Sequence, residues 1–148
     1  MAAPLQEGNM YNDILVPTDG SQGANAALEH GIEIASQWDA TLHTLYVADT
    51  RLARSGPLLE TLREEGRKAV RDVELTGTRA GLTVVTETVE GSPHEEILDY
   101  VTEHGIDMII MGTHGRTGLD RLVMGSVAER VVRRSPVPVL TVRGEEQD

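Results

Sequence analysis

Short apolar runs alternate with longer amphipathic segments along most of this chain, and this alternation constrains the fold more than any other feature. Five runs predict strands, at Asp13–Pro17, Thr41–Val47, Leu82–Val89, Asp107–Met111 and Val137–Val142. Continuous apolar runs such as Ile109–Met111 are typical of strands that are buried on both faces. Strands that alternate with helical segments indicate βαβ units. The sequence therefore predicts an α/β fold: a single open, doubly wound parallel sheet of five strands, with about four helices on both faces.

Apolar residues at helical spacing predict the four helices. The stripes lie at Ala24–Trp38, Leu59–Val73, Ile97–Val101 and Val127–Val132, and a loop is expected at residues 50–57. Ser21 is a good N-cap for the first helix. Ser92-Pro93-His94-Glu95 has the pattern of a capping box with proline at the first helical position, and Gly105 is expected to end that helix. Pro136 and Pro138 favour an edge position for the last strand.

The chain is expected to form one domain. It has 148 residues, a length that suits a single hydrophobic core. Residues 1–11 have no apolar period and are predicted to be a flexible tail. The domain is expected to span residues 12–143, followed by an acidic tail at 144–148.

Composition restricts the classes of function. The formal net charge is −11, and the chain contains no cysteine. Disulfide frameworks, thiolate metal sites and cysteine nucleophiles are therefore excluded. Because the negative charge repels phosphate backbones over a Debye length of about 10 Å, neither a nucleic-acid nor a membrane partner is expected. With no apolar run of about 20 residues and no recognisable signal sequence, the cytoplasm is the expected location.

The basic residues are unevenly chosen, since Lys68 is the only lysine and phenylalanine is absent. An acidic surface of this kind is typical of proteins from high-salt organisms. An ordinary acidic cytosolic protein has the same features, and composition leaves both interpretations open.

The segment Gly112–Ser126 contains the clearest functional signal. Four glycines lie between a buried strand and the start of the last helix. A loop of free backbone amides that leads into a helix N-terminus can bind an anion, because the helix dipole adds about half a positive charge there. Glycines of this kind also serve turns and tight helix–sheet packing, and the glycines alone do not decide between the two roles.

The site is not of a common phosphate-binding type. The sequence has no GxxxxGK[ST] motif, and no GxGxxG motif follows the first strand. Ligands of doubly wound sheets bind beyond the carboxyl ends of the strands, commonly beside the first strand. The first strand ends at Pro17, followed by Thr18 and Asp19. If the first and fourth strands are neighbours, Asp19 faces the glycine segment across one crevice. A carboxylate on one side and amides on the other suit a nucleotide.

Three motifs together resemble the universal stress protein family. They are Gly112-x2-Gly115-x9-Gly125-Ser126, the strand end Val16-Pro17-Thr18-Asp19-Gly20-Ser21, and the C-terminal run Ser135-Pro136-Val137-Pro138-Val139-Leu140-Thr141-Val142. The resemblance covers residues 12–143. It implies the strand order 3-2-1-4-5, which makes the first and fourth strands neighbours, and it implies binding of ATP or AMP.

The resemblance also implies which residues form the site. The expected nucleotide-binding residues are Pro17, Thr18, Asp19, Val47, Met111, Gly112, His114, Gly115, Arg116, Gly125, Ser126 and Val127. Mg²⁺ or Mn²⁺ is expected to accompany the nucleotide phosphates, with Asp19 as its candidate contact. A homodimer is expected through the last strand, at Val137, Val139, Leu140, Thr141 and Val142.

These expectations describe a dimeric regulatory stress protein that binds an adenine nucleotide and hydrolyses ATP slowly at most. No residue is assigned as catalytic, because spacing supplies neither a nucleophile nor an orienting partner for His114. Two alternatives stay open. One is a phosphotransferase or ATPase that uses His114, Arg116 and a metal ion on Asp19, and the other is an interaction dimer that uses no nucleotide.

Overall fold

A computed structural model describes residues 9–114 and 124–144. Within these ranges the elements are β1 (Asp13–Pro17), α1 (Gln22–Trp38), β2 (Thr41–Asp49), α2 (Gly56–Arg79), β3 (Val84–Gly91), α3 (Pro93–His104), β4 (Met108–Gly112), α4 (Ser126–Arg134) and β5 (Val139–Val142). All strand pairings are parallel, and the sheet order is β3-β2-β1-β4-β5. The predicted α/β class, the strand order and the four helices are confirmed.

The sheet has a hydrophobic core on each face. Ile14 and Val16 of β1 point to one face, where they pack with α1 and α2. Leu15 points to the other face and packs with α3 and α4. This alternation follows from the two-residue period of a strand. Because both faces are covered, the central strands β1 and β4 carry continuous apolar runs, as the sequence indicates.

The N-cap of α3 differs from its prediction. Ser92 is the N-cap and Pro93 is the first helical residue, but the Ser92 side chain caps no backbone amide. Its hydroxyl lies instead 3.4 Å from Nδ1 of His94. The predicted capping box is therefore wrong, because a neighbouring ring nitrogen takes the place of the amide as the hydroxyl's partner.

Other element boundaries also differ. β2 ends at Asp49 rather than Val47, and β3 spans Val84–Gly91 rather than Leu82–Val89. Helix α2 begins at Gly56, inside the loop predicted at 50–57, and extends to Arg79. Its ends carry few apolar residues, so a search for apolar stripes misses them. Strand β5 begins at Val139 rather than Val137, because Pro138 has no amide hydrogen and takes part in the sheet only as an acceptor, from the Ile109 amide. The predicted edge position of this strand is confirmed.

Asn9 and Tyr11, which were predicted to lie in a flexible tail, instead contact the end of α1. The Asn9 side-chain amide donates a hydrogen bond to the Trp38 carbonyl at 3.0 Å. The rings of Tyr11 and Trp38 meet edge to face, with centroids 5.1 Å apart. In the part of the chain that the structure describes, no helix has the length and apolar character of a membrane span.

Candidate functional site

A cavity of about 460 Å³ opens at the carboxyl ends of β1, β2 and β4. Ten of the residues predicted from the sequence line it: Pro17, Thr18, Asp19, Val47, Met111, Gly112, His114, Gly125, Ser126 and Val127. Gly115 and Arg116, which were also predicted, lie outside the described residues. Three distant segments of the chain thus meet at one cavity because the sheet order makes β4 the neighbour of β1. A role of these residues in ligand binding stays a prediction.

The turn after β1 holds Asp19 at the cavity wall. Its Oδ1 accepts a hydrogen bond from the Ser21 amide at 3.0 Å, and the Thr18 hydroxyl accepts from the Gly20 amide at 3.1 Å. Gly20 has a φ of 81°, a conformation that favours glycine. The Ser21 hydroxyl then accepts from the Ala24 amide at 3.2 Å and caps α1, as the sequence predicts. The position of the carboxylate is therefore fixed by the turn itself.

Thr113, the residue after β4, makes two backbone hydrogen bonds. The Thr113 amide donates to the Val142 carbonyl at 3.0 Å, and the Gly125 amide donates to the Thr113 carbonyl at 2.7 Å. The amide of Gly125 is therefore engaged, contrary to the expectation that the amides of this segment are free for a ligand.

The first turn of α4 has backbone amides that can donate hydrogen bonds to a ligand, whereas the Gly125 amide is already engaged. Gly125 is the N-cap, and among the described residues no side chain caps this helix. The first amides of a helix have no partner within it. Ser126, Val127 and Ala128 form this turn, and all three line the cavity.

Three helix N-termini point toward the cavity. Ala24 of α1, Pro93 of α3 and Ser126 of α4 each belong to the first turn of their helix, and each lines the cavity. The positive ends of three helix dipoles therefore converge on one space. This arrangement gives an anion a favourable local potential in a chain whose net charge is −11.

His114 lines the cavity two residues after the end of β4. Its Nδ1 is 3.1 Å from the hydroxyl of the preceding Thr113, and both residues are half-buried cavity residues. Among the described residues, no group of three or more histidine, aspartate or glutamate side chains is arranged to hold a metal ion.

The turn after β2 also contributes to the cavity, although no sequence motif points to it. Asp49, Arg51 and Leu52 all line the cavity. Arg51 donates from Nε to Asp49 Oδ1 at 2.9 Å and from Nη2 to Oδ2 at 2.7 Å. This hydrogen-bonded ion pair lowers the pKa of Asp49, although partial burial opposes the shift. The Asp49-x-Arg51 spacing is the sequence signal for it, but such pairs are too common on surfaces to be assigned a role.

A second cavity, of about 510 Å³, lies between α2 and β3 and is lined by Tyr46, Arg63, Arg67 and Glu90 among others. Its arginines are already engaged. Arg63 pairs with Glu90 at 2.5 Å and with Glu60 at 2.6 Å, and Arg67 pairs with Glu64. With three carboxylates against two guanidinium groups, this space does not favour an anion, and the cavity at the strand ends is the better candidate.

Comparison with known proteins agrees with the fold and with the motifs. The model of the universal stress protein family matches residues 10–143. Universal stress protein MJ0531 of Methanocaldococcus jannaschii is 39% identical over 142 residues, which cover 91% of this chain and 84% of that protein.

Solved structures show the same architecture. The structure of MJ0577, another universal stress protein of Methanocaldococcus jannaschii, matches with a TM-score of 0.85 and 35% identity, covering 93% of this chain and 99% of that one. A universal stress protein in complex with cAMP matches with a TM-score of 0.72 and 25% identity, covering 92% and 99% of the two chains. With the family model covering nearly the whole chain, the resemblance seen in the motifs is confirmed: this protein belongs to the universal stress protein family.

Proposed function

We propose that this chain is a regulatory stress protein that binds an adenine nucleotide, ATP or AMP, in the cavity at the strand ends. One observation carries the proposal. The ten described residues that the motifs single out, although they come from distant parts of the sequence, all line a single cavity. If these residues served only turns and packing, they would not be expected to line the same cavity.

The residues that line the cavity offer a different kind of contact to each part of a nucleotide. Asp19 offers a carboxylate oxygen to ribose hydroxyls, and the main chain near Val47 offers donors and acceptors to the edge of the adenine ring. The first turn of α4 offers amides, and Ser126 a hydroxyl, to phosphate oxygens. The complex of a structural neighbour with cAMP supports an adenine nucleotide as the ligand class.

Mg²⁺ or Mn²⁺ fits this site only as a companion of the phosphates. Of the described lining residues, Asp19 and Asp49 carry carboxylates, and Asp49 is paired with Arg51. A resident metal ion needs several protein ligands. We therefore propose that a divalent ion enters bound to the phosphates, with Asp19 as its protein contact.

Slow hydrolysis at most is the proposed chemistry. The Thr113 hydroxyl is the partner of His114 Nδ1 at 3.1 Å. A phosphotransferase needs a group positioned to activate a nucleophile, and nothing in the described residues singles one out. Fast turnover of ATP would favour the enzyme alternative instead.

We further propose that the working form is a cytoplasmic homodimer joined through β5, with residues 12–143 as the functional unit. β5 lies at the edge of the sheet and, among the described strands, pairs only with β4. An edge strand presents backbone donors and acceptors that a second copy can pair.

Two measurements test the proposed function. Mass spectrometry of the small molecules released from the purified native protein should show ATP or AMP. Calorimetric titration of the nucleotide-free protein with both should show saturable binding at one site per chain. If ATP and AMP both fail to bind at millimolar concentration, the chain does not act as an adenine nucleotide protein and the interaction-dimer alternative gains support.

A further inference from the structure

We propose that Leu52 is an apolar platform for the base of the bound nucleotide, and that the pair Asp49–Arg51 positions it. This inference rests on the proposed function and identifies a base contact that the motifs do not assign. Leu52 lines the cavity while 62% of its surface is exposed. An apolar side chain in this position can bury more of its surface when a ligand occupies the cavity.

The turn that carries Leu52 is held in place by its own hydrogen bonds. The Leu52 amide donates to the Asp49 carbonyl at 3.0 Å, and the Thr50 amide donates to the Gly91 carbonyl at 3.2 Å. The Arg51 amide donates to Asp49 Oδ1 at 2.9 Å, in addition to the two bonds from the Arg51 guanidinium. Leu52 is therefore presented by a fixed turn, which lowers the entropy cost of using it in binding.

The location of Leu52 fits the base better than the phosphates. It follows β2, and Leu62 of α2, which packs with Tyr46 and Ala48 of β2, also lines the cavity. The helix start that favours phosphate, at Ser126, follows β4, and β1 separates β4 from β2 in the sheet. A nucleotide whose phosphates meet α4 therefore extends its base toward β2.

Apolar residues from both faces of the sheet line the cavity. Leu62 belongs to the core on the α2 face of the sheet, whereas Ile97 and Met111 belong to the core on the α3 and α4 face. All three line the cavity. Apolar groups on two sides of the strand ends suit a flat ring, whose two faces they can cover while its edge meets the main chain.

The test compares AMP with ribose 5-phosphate, which lacks the base. Leu52→Ala is expected to weaken AMP binding about fivefold and to leave ribose 5-phosphate binding unchanged, because only the contact with the base is lost. Leu58→Ala is the matched control, since Leu58 is 54% exposed in the first turn of α2 and does not line the cavity. Leu52→Met should retain most of the affinity.

A direct contact supplies a second readout. In protein with labelled leucine methyl groups, nuclear Overhauser effects should connect the Leu52 methyls with the adenine protons of bound AMP. Asp49→Asn should weaken AMP binding and these effects together, because the ion pair that fixes the turn is lost.

The outcomes separate the two proposals. If the wild-type protein does not bind AMP, the proposed function fails. If it binds AMP but Leu52→Ala has the affinity of Leu58→Ala, or weakens ribose 5-phosphate equally, or the methyl contacts are missing, the role of Leu52 is wrong while the nucleotide site stands. Unchanged AMP binding in Asp49→Asn would overturn the positioning role of the ion pair.

Discussion

Gly112 at the end of β4 lies directly against Gly23 in the first turn of α1. A Cβ atom on Gly112 would come within 2.8 Å of the carbonyl carbon and oxygen of Gly23, and one on Gly23 would lie 2.5 Å from the His114 carbonyl oxygen. Both obstacles are backbone atoms, which cannot turn aside as a flexible side chain can. The missing side chain of Gly112 is thus required by helix–sheet packing, whatever its part in binding a ligand.

This contact predicts that Gly23→Ala destabilises the protein, although alanine favours a helix over glycine. Relief of the clash must separate the first turn of α1 from the His114 carbonyl, and we expect the free energy of unfolding to fall by about 1–3 kcal/mol. Asn25→Ala, in the same turn but with an exposed side chain, is the control. Urea unfolding followed by Trp38 fluorescence measures both. Equal stability of the two variants would show that the glycine contact is not needed.

Gly125→Val is expected to abolish binding of ATP while the fold is retained. Gly125 lines the cavity and has a φ of −62° and a ψ of 156°, a conformation that valine adopts readily. The valine side chain therefore competes with the phosphates for space beside the first turn of α4. Ser126→Ala, which removes only a hydroxyl, should weaken binding less. Calorimetry and circular dichroism measure the two properties, and unchanged ATP affinity in Gly125→Val would separate this residue from the site.

Much of the fold is predictable because continuous apolar strands leave few alternatives to a parallel sheet with helices on both faces. The strand order, by contrast, cannot be predicted from local sequence patterns. Pairing of β1 with β4 joins Leu15 to Ile109, and no local pattern reports a contact at that separation. The order came from the family resemblance, and the structure confirms it.

The candidate site also contains some residues that the sequence predicts and others that it does not. Asp19 and Gly112 are predictable because each follows or ends a strand, where the topology of a doubly wound sheet places ligands. Gly23 is not, since its role depends on backbone that lies far along the chain. Leu52 is not predictable either, because an exposed leucine in a turn belongs to no helical or strand period. Its significance appears only once the cavity is seen.

Asp19 is expected to contribute to binding of adenosine and of ATP alike. Asp19→Ala removes the carboxylate from the cavity wall and also the acceptor of the Ser21 amide, so a loss of stability of about 1 kcal/mol accompanies the loss of affinity. Asp19→Asn keeps an acceptor oxygen and removes the charge, which makes it the matched variant. Calorimetric titration with both ligands measures the effect. A loss confined to ATP would place Asp19 on a metal ion bound to the phosphates.

Leu140→Glu is expected to dissociate the proposed homodimer. Leu140 lies in the edge strand β5 with 37% of its surface exposed, and a charge there opposes pairing with a second copy. Leu75→Glu is the control. Leu75 is 48% exposed on α2, which packs against β2 and β3, and β5 lies at the other edge of the sheet. Sedimentation velocity measures the state of each. A wild-type monomer, or a dimer that survives Leu140→Glu, would contradict an interface through β5.

A buried hydrogen-bonded chain joins β1, β2 and α3 at the opposite end of the sheet. His43 Nε2 lies 2.9 Å from Asp13 Oδ1, and His43 Nδ1 lies 2.7 Å from the Tyr100 hydroxyl. In the tautomer of neutral His43 whose Nε2 donates to the Asp13 carboxylate, Nδ1 accepts from the Tyr100 hydroxyl. Burial of the hydroxyl, together with the charges of Glu87 and Asp13, raises the pKa of Tyr100 from 10.0 to about 12.

The direction of this shift predicts a loss of stability in alkali. In the unfolded chain Tyr100 ionises near its ordinary pKa, whereas the folded protein holds the neutral form, so stability is complete below about pH 10 and falls as the pH rises toward 12. Tyr100→Phe should remove this fall, while at neutral pH it lowers the free energy of unfolding by about 1–3 kcal/mol because His43 loses its partner. Urea unfolding of both proteins at neutral pH and across the alkaline range measures the two effects. If both proteins lose stability equally in alkali, Tyr100 is not the group that titrates.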